Sequence, residues 1–290
     1  MFGIMGCDAS FVNAAGRGGK KGVERIVLKY STEDPEIGGI SCVGDITIIS
    51  MRNGQVVKET YTNLHESAIT VSSEANSNII IAGQVTELLA RYGTGPFYGT
   101  DTLIEVNASD ATSLTKLYCL GCELTSISLP VSSVLADLNL RNSSHFTSLD
   151  LSNSHALQLL NLDSCAGLDS IDLSACTELT YLNAMNDSFT SLDLSHNSKL
   201  ETVTLMWTSN LETLDMSTCS VLSSLSCNGC KKIKTIKYPA TNSDVSSAVA
   251  STINLANAAD GTVYTDSQGA YYSTIETAAN NKGWTIEQLS

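Results

Sequence analysis

The sequence predicts a mainly β protein in which repeated short strands stack into the two parallel sheets of a solenoid. Three observations support this fold. Apolar residues make up 42% of the 290 residues but aromatic residues only 6%, so the core material is aliphatic. A block with apolar first, fourth and sixth positions recurs along the middle of the chain, mostly at 11-residue steps. Within a block these positions face inward and the intervening strand residues face outward, as the period of an extended strand requires.

The recurring blocks are of two alternating kinds. One kind reads Phe-Thr-Ser-Leu-Asp-Leu at 146–151 and again at 189–194, and the other reads Leu-Gln-Leu-Leu-Asn-Leu at 157–162. The true repeat, called a coil below, is therefore a pair of blocks of about 22 residues. So few residues per block leave no room for an ordinary helix, and both sides of each coil are predicted to be extended. The blocks begin at Leu103, Leu114, Leu124, Leu135, Phe146, Leu157, Leu168, Leu179, Phe189, Leu200, Leu211, Leu222 and Ile233.

Several blocks, such as 114–122 and 168–176, match the pattern L-x-x-L-x-L-x-x-N/C of leucine-rich repeats. Between Val85 and Tyr238 the chain resembles the short, cysteine-containing leucine-rich repeats of internalin-like surface proteins and of many surface proteins from gut-associated bacteria. The resemblance implies a leucine-rich repeat solenoid with an extracellular recognition role and no catalytic activity.

The repeat also accounts for seven of the nine cysteines. Five lie at the turn position that Asn197 fills elsewhere, and two replace the inward leucine at the sixth position. Small, weakly hydrogen-bonding side chains suit these places, so we expect reduced structural thiols. A disulfide or a zinc ion at Cys227 and Cys230 is the alternative, because their spacing is C-x-x-C. The turn cysteines are Cys122, Cys165, Cys176, Cys219 and Cys230, and the inward cysteines are Cys119 and Cys227.

The repeats divide the chain into four predicted regions. Residues 1–22 form a Gly-rich, basic leader that we expect to be flexible, 23–84 a small β-rich domain that caps the first coil, 85–238 the solenoid, and 239–290 an α/β cap. Asn53-Gly54 indicates a type I′ hairpin in the first domain. Helical periodicity covers 243–258 and 270–281, with short strands at 262–265 and 284–286. The Gly-rich stretch 93–99 is expected to be a loop insertion, because no strand-to-helix context favours a phosphate-binding loop.

Cys7 is a candidate site of lipidation. Residues 4–7 read Ile-Met-Gly-Cys and resemble the end of a bacterial lipoprotein signal, in which Cys7 would be acylated and would anchor the protein to a membrane. Only six residues precede Cys7, whereas such a signal needs a basic start and an apolar run of about 7–15 residues. A flexible leader without a lipid is the alternative.

Composition and motifs argue against several classes of function. With 16 Lys and Arg against 30 Asp and Glu, the formal charge of −14 repels the phosphates of nucleic acids. No apolar stretch reaches the 18 residues that indicate a membrane-spanning helix. Four scattered histidines and the lack of a nucleophile turn such as G-x-S-x-G predict no catalytic cluster, so neither enzymatic activity nor a cofactor is expected.

One side of the predicted solenoid carries an acidic ladder, formed by Asp150, Asp172, Asp193 and Asp215, with Ser128 before it and Lys237 after it. Stacked like charges about 4.8 Å apart repel one another. The ladder is therefore expected to have raised carboxyl pKa values, hydrogen bonds from neighbouring hydroxyls, or a bound cation such as Ca²⁺. The expected hydroxyl donors are Ser148, Ser170, Ser191 and Thr213.

The other side carries the candidate binding residues, which are Tyr118, Asn139, Leu159, Asn161, Tyr181, Asn183, Met206 and Trp207. Exposed Tyr and Trp beside Asn are frequent in protein and glycan recognition. Scattered surface aromatics without a binding role are the alternative interpretation.

Together these features predict a non-enzymatic extracellular recognition or adhesion module on a bacterial cell surface, whose partner is a protein or a glycan. The first alternative is a bacteriophage virion protein for attachment or decoration, in contact with capsid or tail proteins, because no complete export signal is visible. A structural spacer is the second alternative and an enzyme the third.

Overall fold

The computed structural model describes residues 23–31, 36–71, 73, 75–91, 103–131 and 134–289. These residues form eighteen strands and two helices, and the strands lie in a 13-stranded and a 5-stranded sheet, called the large and the small sheet. The protein is therefore mainly β, as predicted. Cys7, the remainder of the predicted leader and the stretch 93–99 lie outside the described residues.

The N-terminal region is an antiparallel arrangement built around one long hairpin. Asn53 and Gly54 connect β2 to β3, and their φ angles of 51° and 70° give the left-handed pair that a type I′ turn requires. The predicted boundary between 84 and 85 falls inside β5, whose residues 78–82 pair with β1 and whose residues 87–91 pair with the repeat strand Lys116–Leu120. The strands here are β1 (Arg25–Tyr30), β2 (Glu36–Arg52), β3 (Gln55–Thr62), β4 (Ser67–Thr70) and β5 (Asn78–Arg91).

One set of repeat blocks continues from β5 as an uninterrupted parallel ladder of the large sheet. Each strand pairs in register with the strand of the next coil; Leu160, for example, lies opposite Leu138 on one side and Leu182 on the other. The strands are β7 (Lys116–Leu120), β9 (Asp137–Asn139), β10 (Leu159–Asn161), β11 (Tyr181–Asn183), β13 (Thr202–Thr204) and β15 (Ser224–Ser226).

The alternate blocks form a ladder that is broken in the middle, which corrects the prediction of a continuous second sheet. β6 and β8 pair with each other and join the large sheet through β1, whereas β12, β14 and β16 belong to the small sheet. Residues 148–150 and 170–172 between them are not in strands. This stretch lies between the two 10-residue steps, at Leu124 and Phe189. The strands are β6 (Leu103–Asn107), β8 (Ser126–Ser128), β12 (Ser191–Asp193), β14 (Thr213–Asp215) and β16 (Thr235–Lys237).

The C-terminal region continues the small sheet and contains both predicted helices. β17 (Thr262–Thr265) and β18 (Thr285–Gln288) extend the parallel ladder beyond β16, and α1 (Ser243–Leu255) packs against β15, with α2 (Tyr272–Lys282) beside it. The Asn242 side chain caps α1 by accepting two backbone N–H bonds of 2.9 and 3.2 Å. The last two coils thus place a helix where earlier coils place a strand of the large sheet. No helix among the described residues has the length and hydropathy to span a membrane.

The core is a continuous aliphatic column between the two ladders. Leu157, Leu160 and Leu162, at the first, fourth and sixth positions of one block, are completely buried. Most other blocks repeat this arrangement, but the fourth-position residues Ile127, Leu149 and Ile171 are only partly buried. Full burial of such side chains stabilises each by roughly 1.5–3 kcal/mol, and each coil buries them only against its neighbours. The eight cysteines among the described residues are also buried and form no disulfide bonds with one another.

Candidate recognition face

Two rows of outward side chains run along the large sheet, and both are defined by strand register. The third-position row consists of Glu87, Lys116, Asp137, Leu159, Tyr181, Thr202 and Ser224. The fifth-position row consists of Leu89, Tyr118, Asn139, Asn161, Asn183, Thr204 and Ser226. Neighbours within a row belong to successive coils, about 4.8 Å apart.

The N-terminal part of this face is charged and paired within itself. Lys116 Nζ lies 2.7 Å from a carboxylate oxygen of Glu87, and this hydrogen bond lowers the pKa of Glu87 and raises that of Lys116. The Tyr118 hydroxyl donates to the Asp137 carboxylate. Burial and that hydrogen bond together raise the pKa of Tyr118 well above its ordinary value. The polar groups here thus already have partners within the protein.

The C-terminal part of the face carries no charge in either row. From Leu159 and Asn161 to Ser224 and Ser226, the two rows contain only aliphatic, aromatic, amide and hydroxyl side chains. Leu159 is 40% exposed, and Tyr181 beside it in the next coil is half-buried. In a chain of net charge −14, such a surface is suited to an uncharged ligand.

Trp207 borders this uncharged part at a turn whose backbone is left-handed. It has a φ of 65° and is 58% exposed. A bulky residue in the left-handed region is an outlier, because the conformation is strained for a side chain with a Cβ. In the other coils the same eighth position is also left-handed, but it holds Gly121, Asn142, Ser164, Asn186 and Gly229.

Gly229 in the next coil provides the space for the indole of Trp207. A Cβ atom at Gly229 would lie 2.9 Å from the indole Cε3 and 3.1 Å from the Trp207 backbone. The turns that follow large-sheet strands in successive coils stack on one another and are called the large-sheet turn column. Met185 and Met206, both half-buried, occupy the seventh positions of their blocks in this turn column. The turn is therefore shaped around an exposed aromatic side chain.

The predicted binding asparagines have a structural role. In Asn139, Asn161 and Asn183 the side-chain Oδ1 accepts the backbone N–H two residues ahead, at 3.2, 3.0 and 3.2 Å. This arrangement ends the strand and begins the turn. Asn183 is also only 9% exposed, so it lies largely beneath the surface that sequence alone assigned to it.

The acidic ladder has the same structural role on the other side. In each of its four members Oδ1 accepts the backbone N–H two residues ahead, from Ser152, Ser174, Ser195 and Ser217, at 2.8–3.0 Å. The predicted donors Ser148, Ser170, Ser191 and Thr213 do not make these bonds. The hydrogen bonds from Ser152 and Ser174 lower the pKa values of Asp150 and Asp172.

Of the three arrangements expected for the ladder, hydrogen bonds from neighbouring Ser are therefore found, and raised pKa values are contradicted for Asp150, Asp172 and Asp215. Burial opposes ionisation of Asp215, but hydrogen bonds from Lys237 and Ser217 outweigh it and leave the pKa below its ordinary value. Lys237 Nζ lies 2.7 Å from Asp215 Oδ2. Among the described residues, no three His, Cys, Asp or Glu side chains are grouped to hold a metal ion.

The turn column of Trp207 also contains two buried acidic residues, Asp163 and Asp187, that sequence reasoning missed. Arg141 Nε lies 2.9 Å from Asp163 Oδ2, and Asp163 Oδ1 accepts hydrogen bonds from Ser164 and Asn186. Asp187, also buried, is in the coil that follows Asp163. A signal was present in the sequence, because Asp187 is the one carboxylate at a ninth position otherwise filled by Ala, Cys, Ser, Thr or Asn among the described residues.

No protein-family model matches the chain, and no curated protein sequence matches it. Among solved structures it is similar to the functional domain of InlJ from Listeria monocytogenes, which is described as including a cysteine ladder. The two share 22% sequence identity with a TM-score of 0.42 over 68% of this chain and 48% of the other. The chain thus spans about half the length of that structure. Similarity at this level establishes neither a family nor a function.

Proposed function

We propose that the protein is a non-enzymatic leucine-rich repeat solenoid of a bacterial cell surface that recognises an uncharged ligand on the C-terminal part of the large sheet. Trp207 carries the proposal, because it is 58% exposed in a left-handed backbone conformation. Residues in such strained conformations cluster at functional sites, where the surrounding structure over-determines them. No stabilising contact with the core requires a Trp here, since other coils form the same turn with Gly, Asn or Ser.

The proposed contact surface, called the recognition patch, consists of Leu159, Tyr181, Met185, Met206 and Trp207. Tyr and Trp provide large contact areas for a small loss of conformational entropy and dominate the energetics of many interfaces. The adjoining rows offer the hydroxyl groups of Thr202, Thr204, Ser224 and Ser226 as hydrogen-bond partners. A protein surface or a neutral glycan suits this combination of aromatic area and uncharged hydrogen-bonding groups.

The test replaces Trp207 by the residue that the fold itself uses at the same position. Trp207→Asn copies Asn186, tolerates the left-handed backbone and removes the indole. We expect the purified chain to bind to immobilised neutral glycans, and W207N to bind about tenfold or more weakly. Val221→Thr is the matched control, because Val221 is 54% exposed on a different turn column. Equal binding by W207N and the unchanged protein would contradict the proposal.

Cell-surface location is a separate part of the proposal and is tested separately. An antibody against the C-terminal region is applied to intact producing cells before and after protease shaving, and to purified phage particles. Signal that is lost from intact cells on shaving supports the surface location and makes acylation at Cys7 worth measuring by mass spectrometry. Signal confined to phage particles would replace it with the virion alternative.

A further inference from the structure

The ninth positions of the turn column beside the large sheet form a ladder of buried hydrogen-bond donors. Each donor bonds to the carbonyl oxygen at the sixth position of the preceding coil, which ties the two coils together. The bonds run from Ser143 to Cys119 at 3.0 Å, from Cys165 to Leu140 at 3.0 Å, from Thr208 to Ala184 at 2.8 Å and from Cys230 to Leu205 at 3.1 Å. Every one of these side chains has an O–H or S–H proton to donate.

Asp187 occupies the same position in the coil between Cys165 and Thr208, and it is 4% exposed. Its Oδ1 accepts the Cys165 N–H at 2.8 Å, just as Ser143 Oγ accepts the Cys122 N–H. Its Oδ2 is buried without a hydrogen-bond partner among the described residues. By analogy with the bonds to the Leu140 and Ala184 carbonyls, the repeat predicts that this side chain faces the Leu162 carbonyl, which also accepts the Cys165 N–H at 2.9 Å. A carboxylate has no proton to give to that carbonyl, whereas a carboxylic acid has one.

The charges around Asp187 also disfavour its ionised form. The acidic group that acts on Asp187 is Asp163 on the preceding coil, and the Arg141 guanidinium is already paired with Asp163 at 2.9 Å. The Cys165 thiol faces the same space, and burial raises its pKa far above the ordinary value. The following coil contributes Thr208, which is uncharged. An ionised Asp187 would thus be a second buried negative charge without a cation of its own.

We propose that Asp187 is protonated in the folded protein at neutral pH and donates its proton to the Leu162 carbonyl, so that the junction between coils 157–178 and 179–199 is a pH-sensitive joint beneath the recognition patch. The inference does not depend on the proposed function. Protonation gives Asp187 the same two bonds that Ser and Thr make in the other coils. Loss of the proton leaves a buried carboxylate facing a carbonyl oxygen and loosens the junction.

The direction of the pH effect follows from the two states of the chain. Burial raises the pKa of Asp187 to about 8, with the Asp163 charge acting in the same direction and the Cys165 amide opposing both. In the unfolded chain the pKa of an Asp side chain is about 4. The folded form therefore holds a proton that the unfolded form has released. The stabilisation is complete below about pH 4, declines as the pH rises and is lost above about pH 8.

The experiment compares the complete chain with D187N and D187T. D187T copies Thr208, and D187N supplies an amide donor such as that of Asn197, which bonds to Leu173 O at 3.0 Å. We expect the melting temperature of the unchanged protein to fall relative to both variants between pH 5 and pH 9. D150N, which removes an exposed carboxylate, should show no such divergence over the same range.

The proton on Asp187 can also be observed directly in the unchanged protein, without any variant. Carbon-13 NMR of the Asp carboxyl groups in the unchanged protein should show one carboxyl that titrates close to neutral pH, and the infrared band of a protonated acid should persist at pH 7. A melting-temperature difference that is constant from pH 5 to pH 9, or the lack of any protonated carboxyl at pH 7, would overturn the proposal. Destabilisation of the unchanged protein by a chelator would also overturn it, because it would mean that a cation partners an ionised Asp187.

Discussion

The turns that follow large-sheet strands differ from the turns on the other side of the coils. In the large-sheet turn column the eighth residue has a positive φ in six successive coils. Its backbone N–H donates to a carbonyl of the next coil, as from Ser164 to Met185 O at 2.8 Å. In the turn column on the other side of the coils, only Ala240 has a positive φ among the described eighth residues. Adjacent coils are connected there by side-chain hydrogen bonds such as that from Thr218 to Ser195 O at 2.8 Å. Backbone bonds thus continue the large-sheet ladder around its turns, whereas the other side relies more on side chains.

The difference in turn bonding parallels a difference in the continuity of the two strand ladders. The large-sheet ladder is unbroken from β5 to β15, and the interruption at 148–150 and 170–172 lies entirely on the other side. A continuous backbone ladder fixes the register of every coil, including that of Trp207. The recognition patch therefore lies at the more regular of the two turn columns.

Substitution at the left-handed turn should have the largest effect on stability. Gly229→Val places a β-branched residue at φ 94° and a Cβ within about 3 Å of Trp207, so we expect a loss of about 3 kcal/mol in the free energy of unfolding. Ala175→Val introduces the same side chain at the eighth position of the other turn column, where φ is not positive. It should change the free energy of unfolding by less than about 1 kcal/mol. Urea unfolding of both variants measures the difference. Equal losses would show that the two columns do not differ in backbone strain.

Loss of a hydroxyl should also separate the columns, with a smaller effect. Thr208 is completely buried and donates to Ala184 O, whereas the exposed Thr218 donates to Ser195 O. Thr→Val keeps the shape in both places. We expect T208V to lose about 1–2 kcal/mol and T218V less than about 0.5 kcal/mol, because water replaces the bond only at the exposed site. A larger loss for T218V in chemical unfolding would contradict the assignment of the buried ladder as the stronger tie.

The pH dependence of the acidic ladder should be the smallest effect and opposite in sign to that of Asp187. The pKa of Asp215 is lowered in the folded protein. Its contribution to the free energy of unfolding is therefore present above the unfolded pKa of about 4, and it is lost as the pH falls through the folded pKa. Melting curves of the unchanged protein and D215N should therefore converge below about pH 4. The difference at pH 7 should not exceed about 1 kcal/mol, since the Lys237 partner is exposed to solvent screening. Curves that diverge as the pH falls would show that Asp215 is not stabilised as a carboxylate.

The repeat period and the inward positions could be read from the sequence, because a single apolar column must be buried in every coil. The interruption of the second ladder could not be predicted from the sequence. The same six residues, Phe-Thr-Ser-Leu-Asp-Leu, contain the strand β12 at 189–194 but no strand at 146–151. Identical blocks differ there because pairing depends on the adjoining coils. The acidic ladder is a second example: a row of like charges is visible in sequence, but the particular serines whose side chains and backbone N–H groups lower the pKa values of Asp150 and Asp172 are not.

The exchange of a strand for a helix in the last two coils also affects the curvature of the array. Strands of adjacent coils are about 4.8 Å apart, whereas packed helices such as α1 and α2 require about 8–10 Å between their axes. The two coils are therefore several ångströms thicker on the helix side than on the small-sheet side. They form a wedge that bends the long axis of the molecule toward the small sheet, so that any module stacked beyond β18 would meet the array at an angle.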